Sequence, residues 1–75
     1  MNIGVWTKPQ CPYCDMAKQL LNQKGLEYTA VTLGEEFTRD DVVAKFPTAR
    51  TFPIITIDNE YIGGYNELKR KLEGE

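Results

Sequence analysis

The chain has no histidine, only two cysteines among its 75 residues, and no long hydrophobic run. With two thiols and no imidazole, it cannot supply the four ligands of an intrachain structural zinc site, so no metal is expected. No segment approaches the roughly 20 apolar residues that a membrane-spanning helix requires. The first residues also lack the apolar stretch of a secretory signal, so the protein is expected to be cytoplasmic and soluble. Nine basic and eleven acidic side chains leave a net charge of −2, which provides no broad cationic surface for nucleic acid. The Lys69-Arg70-Lys71 run reads as the solvated face of a terminal helix, where cations suit the dipole. The length fits one domain, 1–75, with a core only just sufficient.

The two cysteines fall together, as Cys11-Pro12-Tyr13-Cys14, after a strand-like segment and at the start of a helix-like one. Residues three apart on a helix share a face, so the two sulfurs can meet at little backbone cost. A helix N-terminus presents unpaired amides and partial positive charge, both of which favour a thiolate at Cys11. Pro12 suits the first helical position, where no intrahelical hydrogen bond is lost. Cys14, one turn further on, lies on the inward stripe and is expected to be the shielded, resolving thiol. In a reducing cytosol such a pair is a cycling redox couple, and the loop it closes is too short to stabilise a fold through chain entropy.

Alternating residues predict a first strand over 3–8, ended by Pro9. Helical spacing follows from Pro12 to about Lys24, with Cys14, Ala17, Leu20 and Leu21 inward and Gly25 as the stop. A second strand is expected over 27–33. Thr38 and Asp41 have capping-box spacing before a helix whose apolar stripe is Val42, Val43 and Phe46, ended at Pro47. Ile54–Ile57 and Tyr61-Ile62, separated by Asp58-Asn59, read as a hairpin. After Gly63-Gly64, the residues Tyr65, Leu68 and Leu72 mark a final helix, for which Asn66 is a good N-cap type. The order β-α-β-α-β-β-α predicts an α/β fold with a four-stranded mixed sheet, flanked on both faces by three helices.

Trp6-Thr7-Lys8, Cys11-Pro12-Tyr13-Cys14, Thr51-Phe52-Pro53 and Gly63-Gly64-Tyr65-Asn66-Glu67, in this order, make nearly the whole chain resemble a small dithiol glutaredoxin. The resemblance implies a thioredoxin-like fold and a glutathione-dependent thiol-disulfide oxidoreductase. Such an enzyme reduces protein disulfides and glutathione mixed disulfides through Cys11 and Cys14. It implies a cis Phe52-Pro53 bond facing the dithiol, with the Phe52 backbone open to an extended peptide-like substrate. Glutathione, as co-substrate rather than bound cofactor, would then be contacted by Lys8, Tyr13, Thr51, Phe52, Pro53, Gly64, Tyr65, Asn66 and Glu67. Lys8 would meet the glycyl carboxylate, the free amides after Gly63-Gly64 the γ-glutamyl carboxylate, and Glu67 the γ-glutamyl amine. Arg39 and Arg50 are further carboxylate contacts in principle, but neither is assigned.

The family pattern has Val where this chain has Phe52, and frequently Cys where it has Tyr65. Expected partners are glutathione and disulfide-containing proteins, with ribonucleotide reductase among the candidates, acting on a monomer. One alternative is a small redoxin reduced by a thioredoxin reductase and serving ribonucleotide reductase. Another is an iron–sulfur carrier that uses Cys11 plus glutathione across a dimer, against which Pro12 argues by the family pattern.

Overall fold

The structure is a computed structural model that describes residues 2–74; Met1 and Glu75, the ends of the expected domain, lie outside the described residues. Its elements are β1 (Ile3–Thr7), α1 (Pro12–Gln23), β2 (Tyr28–Thr32), α2 (Arg39–Lys45), β3 (Ile54–Ile57), β4 (Glu60–Gly63) and α3 (Tyr65–Glu73). The sheet order is β2-β1-β3-β4, with β1 parallel to β2 and antiparallel to β3, and β3 antiparallel to β4. This is the predicted mixed sheet, with each element in the predicted order and its ends within a residue or two.

Two clusters hold the layers together. Ile3, Val5, Ile55 and Ile57 of the central strands pack with Ala17, Leu20 and Leu21 of α1 and Leu68 of α3. On the opposite face Phe37, Val42, Phe46 and Ile54 form a second cluster, with Trp6 and Val31 against it. Period-two alternation explains the division of β1: Ile3 and Val5 face α1 and α3, while Trp6 faces α2. Trp6 lies edge-on to Phe37 and Phe46 at 4.8 and 5.1 Å, and Lys45 Nζ sits 5.6 Å from its ring. All four residues of β3 are buried, as its dense β-branched run suggests for a strand covered on both faces.

Local chemistry closes the elements. Thr38 Oγ1 accepts the Asp41 amide at 3.3 Å and Asp41 Oδ2 accepts the Thr38 amide at 2.9 Å, the reciprocal cap read from the sequence. Asp58 and Asn59 both take positive φ, 52° and 69°, as a tight two-residue hairpin demands.

Two expectations are corrected. Val43 is not part of the α2 core stripe: its side chain is 64 % exposed, because a seven-residue helix meets the sheet along the single i, i+4 line of Val42 and Phe46. Asn66 is not the cap of α3, which begins at Tyr65 with Gly64, two residues before Asn66, as N-cap.

Candidate active site

Cys11 is the N-cap of α1 and Pro12 its first residue. Cys11 Sγ accepts the Cys14 amide at 3.2 Å, so the sulfur occupies the place of a serine or aspartate oxygen in an ordinary cap. The two cysteines are joined as a disulfide across a Cα–Cα separation of 5.2 Å, so the structure is that of the oxidised protein. Gln10, in the left-handed region at φ 57°, turns the chain from β1 into this corner. Cys14, expected to be the shielded thiol, is 1 % exposed against 7 % for Cys11. The order of access is as expected, but Cys11 is largely covered because its sulfur turns inward to its partner. What remains open faces a cavity of about 390 Å³.

That cavity is lined by Lys8, Gln10, Cys11, Pro12, Arg39 and Arg50. An adjoining one of about 210 Å³ is lined by Pro53, Gly64, Tyr65, Asn66 and Glu67. Tyr13, Thr51 and Phe52 border both, so the two form one groove running from Lys8 past Cys11 to the start of α3. Every residue assigned to the site from the sequence lies on this groove except Cys14, which is buried beneath it. Arg39 and Arg50, left unassigned, also line it; only the fold brings the start of α2 and the loop before β3 to the thiol.

Aromatic rings form the walls. The Phe52 ring stacks on Phe37 with centroids 6.3 Å apart, and Lys8 Nζ lies 5.8 Å from its centroid. Tyr13, 56 % exposed, meets Tyr65 at 5.9 Å. The Phe52-Pro53 bond is cis, and Pro53 is buried.

The far end of the groove is built around Glu67. Its Oε1 accepts the Gly64 amide at 2.8 Å, which caps α3 from the third helical position and removes the need for a capping side chain at the start. Glycine suits that start, since a Cβ on Gly64 would approach the Pro53 carbonyl oxygen to 3.2 Å. The amides of Tyr65 and Asn66 follow, and by position they make no intrahelical bond. The hydrogen bond from Gly64 lowers the Glu67 carboxyl below its usual value of 4.5, aided by its own backbone amide and by Arg70, against a small opposing effect of burial. A carboxylate lowered on folding stabilises the fold above its unfolded value, and that contribution disappears as pH falls through the folded value. Glu67→Gln is therefore expected to unfold more readily than the parent at pH 7, and the gap should narrow below about pH 4.5. Urea midpoints at pH 7 and pH 3 check this; a gap of equal size at both would refute the charged cap.

No helix among the described residues is long and apolar enough to cross a membrane. The family model for glutaredoxin matches residues 3–62. Glutaredoxin 3 of Escherichia coli is 34 % identical over 67 residues, covering 89 % of this chain and 81 % of that protein. The hybrid peroxiredoxin hyPrx5 of Haemophilus influenzae is 39 % identical over 69 residues, covering 92 % of this chain, which spans only 28 % of that longer protein. Among solved structures, a buckwheat glutaredoxin–glutathione complex superposes with a TM-score of 0.78 at 29 % identity, covering 96 % of this chain and 69 % of that one. With the family model spanning most of the chain and the dithiol at the head of α1, the chain belongs to the glutaredoxin family, as a thioredoxin-fold oxidoreductase whose redox pair is Cys11 and Cys14.

Proposed function

We propose that the protein is a glutathione-dependent reductase of protein disulfides and glutathione mixed disulfides. The observation that carries this reading is the continuous groove from Lys8 past Cys11 to the start of α3, with a cation at one end and free helix amides at the other. Glutathione has a carboxylate for each end and a peptide backbone between, and the buckwheat relative was solved with it. Lys8 receives the glycyl carboxylate, the Tyr65 and Asn66 amides the γ-glutamyl carboxylate, and the backbone of Thr51 and Phe52 pairs with the middle of the tripeptide. Glu67, already bound to the Gly64 amide, acts mainly by holding those amides in place, and its second oxygen is the one left for the γ-glutamyl amine.

In the reduced protein the Cys14 amide and the α1 dipole favour the Cys11 thiolate. That thiolate attacks the glutathione sulfur of a mixed disulfide; the substrate thiolate leaves and Cys11–glutathione forms. A second glutathione thiolate attacks the same glutathione sulfur, releasing glutathione disulfide and regenerating the Cys11 thiolate. With a protein disulfide, Cys11 is joined to one substrate sulfur while the other leaves as thiolate. Cys14 then displaces the first, giving the Cys11–Cys14 disulfide, which two glutathiones reduce. No metal or bound cofactor enters these steps, and the cycle suits a reducing compartment such as the cytosol.

The test is turnover of a small glutathione mixed disulfide with glutathione, glutathione reductase and NADPH, beside the same assay with thioredoxin reductase. Glutathione should sustain turnover; support by thioredoxin reductase alone would favour the other reductant. Lys8→Glu should lower glutathione-dependent turnover roughly three- to tenfold at low ionic strength, because reversing one exposed charge changes a carboxylate contact by on the order of 1 kcal/mol. Added salt should shrink the difference. If both Lys8→Glu and Asn66→Ala/Glu67→Ala turned over glutathione normally, the groove would be misassigned.

A further inference from the structure

A third cavity, of about 170 Å³, opens beside Cys11's groove, and its apolar lining is Leu33, Val42, Val43, Ala49 and Ile54. Arg39, Arg50, Thr51 and Phe52 border both, so the two are continuous. We infer that this side cavity is the docking subsite for polypeptide substrates, taking an apolar side chain near the target cysteine, with Arg39 and Arg50 receiving an acidic residue beside it. The inference rests on the disulfide-reductase reading above and names the class of protein substrate.

Three observations carry it. Glutathione has only three residues, and with one carboxylate at Lys8 and the other at the start of α3 both of its ends are placed, so it has no chain left to enter the side cavity. A polypeptide disulfide continues past the cysteine and does. The cavity is also sized for one side chain, since a void of about 150 Å³ holds a benzene-sized group. Val43 is exposed at its rim, so a side chain seated in the cavity would cover it. Finally, the two guanidinium groups stand at the seam between the cavities, and among the described residues no carboxylate lies within ion-pair distance of either. An incoming Glu or Asp supplies the missing partner, in the bidentate geometry arginine favours.

The test uses four peptides alike except at two positions beside a single cysteine, Leu-Glu, Leu-Lys, Ser-Glu and Ser-Lys, each carried as a mixed disulfide with thionitrobenzoate. Pre-reduced protein is mixed with each and the release of thionitrobenzoate is timed. The Cys11 thiolate attacks the peptide sulfur and expels the low-pKa thionitrobenzoate; Cys14 then displaces the peptide thiolate, leaving the protein oxidised and both former disulfide partners reduced. Leu-Glu should react about tenfold faster than Ser-Lys. Val43→Asp should remove the advantage of Leu over Ser while leaving turnover of a small glutathione mixed disulfide unchanged, and Arg50→Glu should reverse the preference of Glu over Lys. Equal rates for the four peptides, or a Leu preference that persists unchanged in Val43→Asp, would overturn the inference. The assay contains no glutathione, so a failure of the glutathione reading shows only in the reductase-coupled assay, and a failure of the docking subsite only here.

Discussion

Replacing Cys11 with serine should reduce every thiol-disulfide activity of this protein to background, a loss of roughly a thousandfold or more, as expected when the attacking group itself is removed. Cys11 is the cysteine whose sulfur opens to the groove, and it receives the Cys14 amide at the head of α1. A serine hydroxyl there keeps the cap but has no accessible anion at neutral pH. Cys14→Ser should behave differently. A mixed disulfide on Cys11 is cleared by a second glutathione without help from Cys14, so deglutathionylation persists, whereas reduction of protein disulfides that need an internal resolving thiol is lost. Parallel assays with a glutathionylated peptide and a protein disulfide separate the two, and equal loss of both in Cys14→Ser would sink the division of labour.

The second large effect is expected far from sulfur. Gly63 has φ +126°, and a Cβ there would lie 2.5 Å from Glu67 Cγ and 2.8 Å from its Cβ. Gly63→Ala therefore imposes backbone strain and pushes away the side chain that caps α3. A strained dihedral costs about 1–3 kcal/mol and a lost cap about 1 kcal/mol. For a domain of this size that lowers the melting temperature by roughly 10–20 °C. The Tyr65 and Asn66 amides move with the cap, so the KM for glutathione should rise as well. Gly25 is the internal comparison: its φ is +71°, yet a Cβ would meet nothing within 4 Å. Gly25→Ala should cost only about 1–2 kcal/mol, the left-handed penalty alone, and leave glutathione kinetics intact. Equal thermal shifts in the two variants would show that the contact with Glu67 is irrelevant.

These two sites also mark what the sequence could and could not reveal. The dithiol, the Thr38–Asp41 cap and the Asp58-Asn59 hairpin are local: the residues that determine each lie within four positions, and their spacing is their signature. The cap of α3 is not legible locally, because Asn66 has the better capping chemistry in isolation. Glu67 supplies that chemistry from three residues after Gly64, and the close approach of the Pro53 carbonyl favours glycine at the start. Val43 reads as core because helical periodicity does not say how wide a helix's contact with the sheet will be. Arg39 and Arg50 could not be ranked, because their approach to Cys11 depends on how α2 and the loop before β3 pack, across about 30 to 40 residues of chain. Gln10's positive φ has no local signal at all; it follows from joining β1 to a helix whose first turn must meet the groove.

In the proposed cycle Cys11 alone carries glutathione. Incubating the Cys14→Ser variant with glutathione disulfide and mapping its peptides by mass measures this directly. One glutathione per chain is expected, attached at Cys11, released by added glutathione and absent when Cys11 is serine and Cys14 is kept. Glutathione found on Cys14 in that Cys11→Ser protein, or no adduct at Cys11 in Cys14→Ser, would contradict it.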